Sequence, residues 1–171
     1  QRSNSGKNSR FEGMRVVPCG RFRMGASGFY ADEKPVREVA VAGFWMDQAP
    51  VTNRQFAEFV TATGHITQAE LAPDPADYPG MDSALAVPAS IVFTPPEQLV
   101  DLSDGASWWS LVPGASWRQP QGPGYDIADK PDHPVVDVAY GAALAFASWA
   151  GKAAPTEEER EYATRGGLEG A

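Results

Sequence analysis

Six prolines (Pro73, Pro75, Pro79, Pro88, Pro95 and Pro96) fall between residues 71 and 106, and their spacing leaves no room there for a long helix. A proline lacks a backbone donor, and inside a helix its ring clashes with the preceding turn. The stretch carries no convincing apolar period, so it reads as a long irregular connection with at most a short helix near Pro96–Leu99. A loop of this length in a compact domain is usually functional or disordered. Gly 17 and Pro 15 make up close to a fifth of the 171 residues, above ordinary usage, so turns are expected elsewhere too. Five Trp, eight Phe and five Tyr supply the apolar mass for a core, and the length suits one domain.

Regular structure is expected on either side of this connection. Thr52 and Gln55 form a capping box, with Val51 and Phe56 at the staple positions, Phe56, Phe59 and Val60 on one face, and Gly64 as the stop. These signals predict a helix over about 53–62. A second helix at about 140–150, ended by Gly151, presents Leu144, Trp149 and several alanines, but Tyr140-Gly141-Ala142 offers no good cap. A third, over about 157–165, has Thr156 and Glu159 as a second capping box, Pro155 before it and Gly166 after it. Residues 11–48 read as β structure. Met14–Val17 and Arg21–Gly25 flank Pro18-Cys19-Gly20 as a hairpin would. Val36–Val41 and Phe44–Asp47 follow, after a loop from Gly28 to Pro35. Val135–Val138 reads as a short strand. Short strands with a few helices and much irregular chain define an α+β class.

Bulk chemistry removes several functions. The net charge of −8 argues against a nucleic-acid partner, which needs clustered Lys and Arg. No apolar run approaches bilayer-spanning length, so no membrane partner is expected. Residues 1–10 are polar and basic without the apolar stretch of a secretory signal, and read as a disordered lead-in. The single cysteine, Cys19, cannot close an internal disulfide or build a thiolate cage. It fits a reducing, cytoplasmic setting, and its tight turn favours a packing role. His65 and His133 are far apart and share no ligand spacing, so surface or structural roles are favoured for both. Glu157-Glu158-Glu159 reads as negative charge at the positive end of a helix. No nucleophile elbow or phosphate loop is present.

Two features survive. Trp108, Trp109 and Trp117 crowd one segment; adjacent residues of an extended chain point to opposite faces, so one of the first two can enter a core while the other forms a surface platform. Asp74, beside Thr67-Gln68-Ala69-Glu70, can pair through a bidentate contact with an arginine of a bound peptide.

Several segments in order carry a resemblance to a family: Arg21-Phe22-Arg23-Met24-Gly25, Tyr30 to Pro35, Pro50-Val51-Thr52-Asn53-Arg54-Gln55-Phe56, and Thr63-Gly64-His65-Ile66-Thr67-Gln68-Ala69-Glu70. Pro113-Gly114-Ala115-Ser116-Trp117-Arg118, Asp132-His133-Pro134-Val135, Trp149-Ala150-Gly151-Lys152, Pro155 to Glu159 and Arg165-Gly166-Gly167-Leu168 extend it. Over residues 14–171 the chain resembles the N-terminal part of the formylglycine-generating enzyme family, also called sulfatase-modifying factors. The resemblance implies an irregular C-type-lectin-like fold. It implies an oxidase that converts the cysteine of a Cys-x-Pro-x-Arg sulfatase segment, bound as an unfolded, extended peptide, to formylglycine with O2. In that family a cysteine pair holding copper(I), and structural calcium sites, lie in the C-terminal part of the domain. This chain is expected to end before them and to be a fragment whose partner is that missing part, with no metal of its own and no oxidase activity alone. Carried over by motif, Asp74 receives the substrate arginine, Ala69 lines the peptide groove and Trp108 meets the substrate proline. Glu70 matches without an assigned role.

The match departs at Ala154 and Arg160, where the family carries a core leucine and tryptophan. If such a site is buried, the lost volume costs on the order of 3–5 kcal/mol. Tyr140-Gly141-Ala142 also stands where the family more often has an aromatic and polar capping residues. These changes motivate a rival reading, a non-catalytic lectin-like peptide- or ligand-binding module of the same fold. A sulfoxide synthase of thiol-histidine biosynthesis uses a related domain but needs an upstream histidine-rich iron-binding domain, which this sequence does not contain.

Overall fold

Thr52 begins the first helix as its capping box requires. In the computed structural model, which describes residues 11–28, 30–101 and 107–168, the Thr52 backbone N–H donates to Gln55 Oε1 at 2.9 Å and the helix α1 runs Asn53–Thr63. Gly64 ends it at φ 68. The chain divides into two compact units, Gln1–Ala49 with Ala154–Ala171, and Pro50–Ala153.

In the first unit, β1 (Met14–Val17) pairs with β4 (Phe44–Asp47), and β2 (Gly20–Met24) pairs with β3 (Arg37–Val41), both antiparallel. The expected hairpin between the first two runs does not form. Val17 faces Phe44 and Gly20 faces Val41, so the register passes unbroken across the gap. The four strands are one long ribbon interrupted at Pro18, which has no N–H to give. Opposite it a Cβ on Gly43 would lie 3.2 Å from the Cys19 backbone nitrogen, so the two chains approach closely there. Cys19 is exposed, which corrects the packing role expected for it. The ribbon's pairing partners, not burial, hold that position.

The helix α3 (Glu157–Arg165) packs on this ribbon. Its capping box forms as predicted, the Thr156 N–H donating to Glu159 Oε2 at 2.8 Å. Tyr162 lies against Phe22 at 5.3 Å between ring centroids. Glu158 meets Arg37 at 3.5 Å. Arg160 is exposed, so the condition for a large cavity cost is not met there.

The second unit is built on an aromatic core. Phe56, Phe59, Val60, Trp117 and Ala142 are buried, with Val51 and Phe146 packed against them. The helix α2 (Tyr140–Trp149) supplies Ala142 and Phe146, and no side chain caps its start at Ala139. Three expectations are corrected. Residues within the proline-rich stretch form a strand, β5 (Ala89–Phe93), paired antiparallel with β6 (Trp109–Pro113) so that Ile91 faces Leu111. Residues 96–99 form no helix. Val135–Val138 is not a strand: Pro134 makes one isolated bridge to Thr52, and Asp137 then turns to φ 56, which ends extended pairing. His65 lies tilted against Phe59 at 5.0 Å between ring centroids and His133 is exposed, as the structural and surface readings require. The lead-in expected at residues 1–10 lies outside the described residues.

Candidate functional site

Thr67 is fully buried, and it anchors the short turn that carries Ala69. Its backbone N–H and its hydroxyl both donate to Glu70 Oε2, at 2.9 and 2.8 Å. Arg118 approaches the same carboxylate at 3.6 Å while lying 4.2 Å over the Trp117 ring. Burial pushes the Glu70 carboxyl up, but the Thr67 donors and the Arg118 charge outweigh it and hold it below the usual range. The Trp117 Nε1, buried without a hydrogen bond of good geometry, adds to the same downward pull. Glu70, which the sequence left without a role, is thus the positioning residue for Ala69.

Ala69 lines an open cavity of about 440 Å³ together with Ser90, Ile91, Leu111 and Asp137. A second cavity, about 340 Å³, shares Gln68, Ala89, Ile91 and Leu111 with the first and reaches Leu71, Pro73 and Tyr78. The two form one groove crossing the cross-strand pair Ile91–Leu111. Its floor is apolar yet open: Ile91 is 61% and Leu111 47% exposed. Asp74 follows Pro73 in sequence and is not among the residues lining either cavity. It caps the 3-10 turn Pro75–Asp77, its Oδ1 accepting the Ala76 N–H at 2.9 Å, and its side chain is exposed.

Trp108 stands apart from the residues lining the groove. Its carbonyl accepts the Thr94 N–H at 2.7 Å, so it lies just past the sheet end, three residues along from the Ile91–Leu111 pair, or roughly 10 Å. It is half-buried, whereas Trp109 is exposed and meets Phe93 edge-on at 5.5 Å. Trp117 is the core tryptophan of the three, 1% exposed.

Over residues 1–171 the chain matches the model of the sulfatase-modifying factor enzyme 1-like domain. It belongs to that family. This sulfatase-modifying factor enzyme 1-like chain is 54% identical over 151 residues to the formylglycine-generating enzyme of Mycobacterium tuberculosis, covering 88% of this chain and 50% of that protein. It is 43% identical over 164 residues to the formylglycine-generating enzyme of Thermomonospora curvata, covering 92% and 50%. It is also 42% identical over 161 residues to the inactive C-alpha-formylglycine-generating enzyme 2 of Mus musculus, covering 90% and 47%. The chain therefore spans about half the length of these relatives.

A copper-holding cysteine pair cannot be drawn from a sequence with one cysteine. Among the described residues no group of three or more His, Cys, Asp or Glu side chains converges as a metal site. No described residue is therefore assigned to a metal.

The Glu70 network makes a pH prediction. A carboxyl held below its ordinary pKa stabilises the fold above that ordinary value, 4.5. The contribution is lost as pH falls through the lowered value. Glu70→Ala should cost about 1–3 kcal/mol near neutrality by leaving buried Thr67 donors unpaired. The deficit should shrink below pH 4.5 in urea titrations. A deficit constant across that window would remove Glu70 from this role.

Proposed function

We propose that this chain forms the peptide-binding part of a formylglycine-generating oxidase, which converts the cysteine of an unfolded Cys-x-Pro-x-Arg sulfatase segment to formylglycine using O2. The observation that carries it is the open, apolar-floored groove with Ala69 in its wall and Pro73, the residue before exposed Asp74, in its lining. In this reading Asp74 receives the arginine by a charge-assisted contact, Ala69 is small enough to let the peptide backbone approach, and Trp108 meets the proline beyond the sheet end. Copper(I) supplies the oxidation chemistry when bound elsewhere in the domain. The residues of this chain bind and orient the substrate.

Asp74→Ala in the full-length protein is expected to weaken binding of a Cys-x-Pro-x-Arg peptide by about 10–100-fold, measured by fluorescence anisotropy. A control peptide with glutamine for arginine should bind both proteins alike. Equal losses on the two peptides would refute the role.

A second reading, a non-catalytic binding module, draws support from the similarity to the inactive mouse relative, of the same order as that to the Thermomonospora enzyme. Peptide binding by the full-length, copper-loaded protein without any aldehyde formation would select it.

A further inference from the structure

We infer that Asp137 is a second charge-reading residue of the groove, selecting a lysine or arginine on the flank of the peptide away from the residue that meets Asp74. The inference rests on the peptide-binding reading above and deepens it. Asp137 is the one non-glycine residue among those described with a positive φ, 56°. Aspartate is one of the few non-glycine residues that adopt this conformation singly, and residues held there cluster at functional sites. The turn holds its side chain half-buried in the wall of the Ala69 cavity.

Ser90 Oγ donates to Asp137 Oδ1 at 2.6 Å, a short charge-assisted bond that fixes the carboxylate on β5. An ionised carboxylate offers about four acceptor positions, and one serine fills one of them. Every other residue lining that cavity (Gln68, Ala69, Ala89, Ile91, Leu111, Val138 and Ala139) is uncharged. Among the described residues the lining contains no cation to answer the Asp137 charge. Apolar walls on either side of a fixed carboxylate favour a cation that is held by an extended ligand and desolvated only in part. Asp137 lines the cavity of Ala69, Pro73 lines the neighbouring one, and the two cavities share Gln68, Ala89, Ile91 and Leu111. A peptide crossing both cavities passes the Asp137 carboxylate in one and Pro73, next to Asp74 in sequence, in the other.

Asp137→Asn tests this cleanly. Asparagine tolerates positive φ as aspartate does and still accepts from Ser90, so only the charge is removed. The test uses the full-length protein and a Cys-x-Pro-x-Arg peptide series in which one lysine is walked through the flank before the cysteine, with glutamine at the same positions as control. One lysine position is expected to bind wild type about tenfold more tightly than its glutamine control. That preference should vanish in Asp137→Asn with an unchanged melting temperature, and should be only weakened in Ser90→Ala. No lysine preference at any position, or one that survives Asp137→Asn, overturns the inference while leaving the peptide-binding reading intact. A wild-type protein that binds none of the peptides overturns both.

Discussion

Replacing Trp117 with alanine is expected to remove about 3–5 kcal/mol of stability, read as a fall in the urea midpoint of the full-length protein. The ring is 1% exposed, meets Phe56 edge-on at 5.1 Å between centroids, and supports Arg118 on its other contact at 4.2 Å. Its loss opens a cavity beside the buried rings of Phe56 and Phe59. The damage reaches the site as well. Arg118 lies over the Trp117 ring and faces Glu70, and Glu70 holds the turn of Ala69. Peptide affinity should therefore fall along with stability. Trp109→Ala is the internal control. That ring is 48% exposed and its close aromatic partner is Phe93, so about 1 kcal/mol is expected. Equal losses from the two substitutions would show that the core is wrongly drawn.

The helices were legible because their signals are local. Thr52 with Gln55, and Thr156 with Glu159, state where α1 and α3 begin within four residues of sequence, and Gly64 and Gly166 state where they stop. Strand pairing is not local, and there the reading failed. Pro18 suggested a turn, yet it only interrupts a ribbon whose second half lies beyond residue 36. Ala89–Phe93 gives no clear strand signal, because prolines flank it and apolar Val92 breaks the apolar–polar alternation that Ser90 begins. Its partner, β6, starts at Trp109, and only that pairing defines the strand.

The same physics governs the groove. Asp74 could be singled out in the loop just after Thr67-Gln68-Ala69-Glu70, and Ala69 through the family resemblance. Ser90, Leu111 and Asp137 come from three further segments, joined only when β5 pairs with β6 and Asp137 takes its left-handed turn. Val135-Val136-Asp137-Val138 reads as a strand by composition, and that reading conceals the residue most worth finding.

In the first unit the largest expected effect comes from one missing side chain. Gly25 closes β2 at φ 88, and a Cβ placed there would collide with the Glu33 carbonyl oxygen. That oxygen cannot step aside cheaply, because it is backbone and accepts the Ala26 N–H at 3.3 Å. Gly25 is also fastened to α3 from both of its polar groups. Its N–H donates to Glu161 Oε1 at 2.9 Å, and its carbonyl accepts from Arg165 at 3.2 Å. Arg165 in turn holds Glu161 at 2.7 Å. Burial pushes the Glu161 carboxyl up, but the Gly25 N–H and the Arg165 guanidinium prevail and keep it below its usual range. Gly25→Ala must then either strain the turn or pull β2 from this clamp. The left-handed conformation and the overpacking together should cost about 3–5 kcal/mol. Gly13→Ala separates the two terms: its φ is 79 but nothing lies within 4 Å of the added carbon, so only the conformational cost of roughly 1–2 kcal/mol remains. Thermal melts of the two variants of the full-length protein decide the matter, and a Gly25→Ala melt no lower than that of Gly13→Ala would mean that the Glu33 carbonyl yields and the clamp on α3 does not depend on this turn.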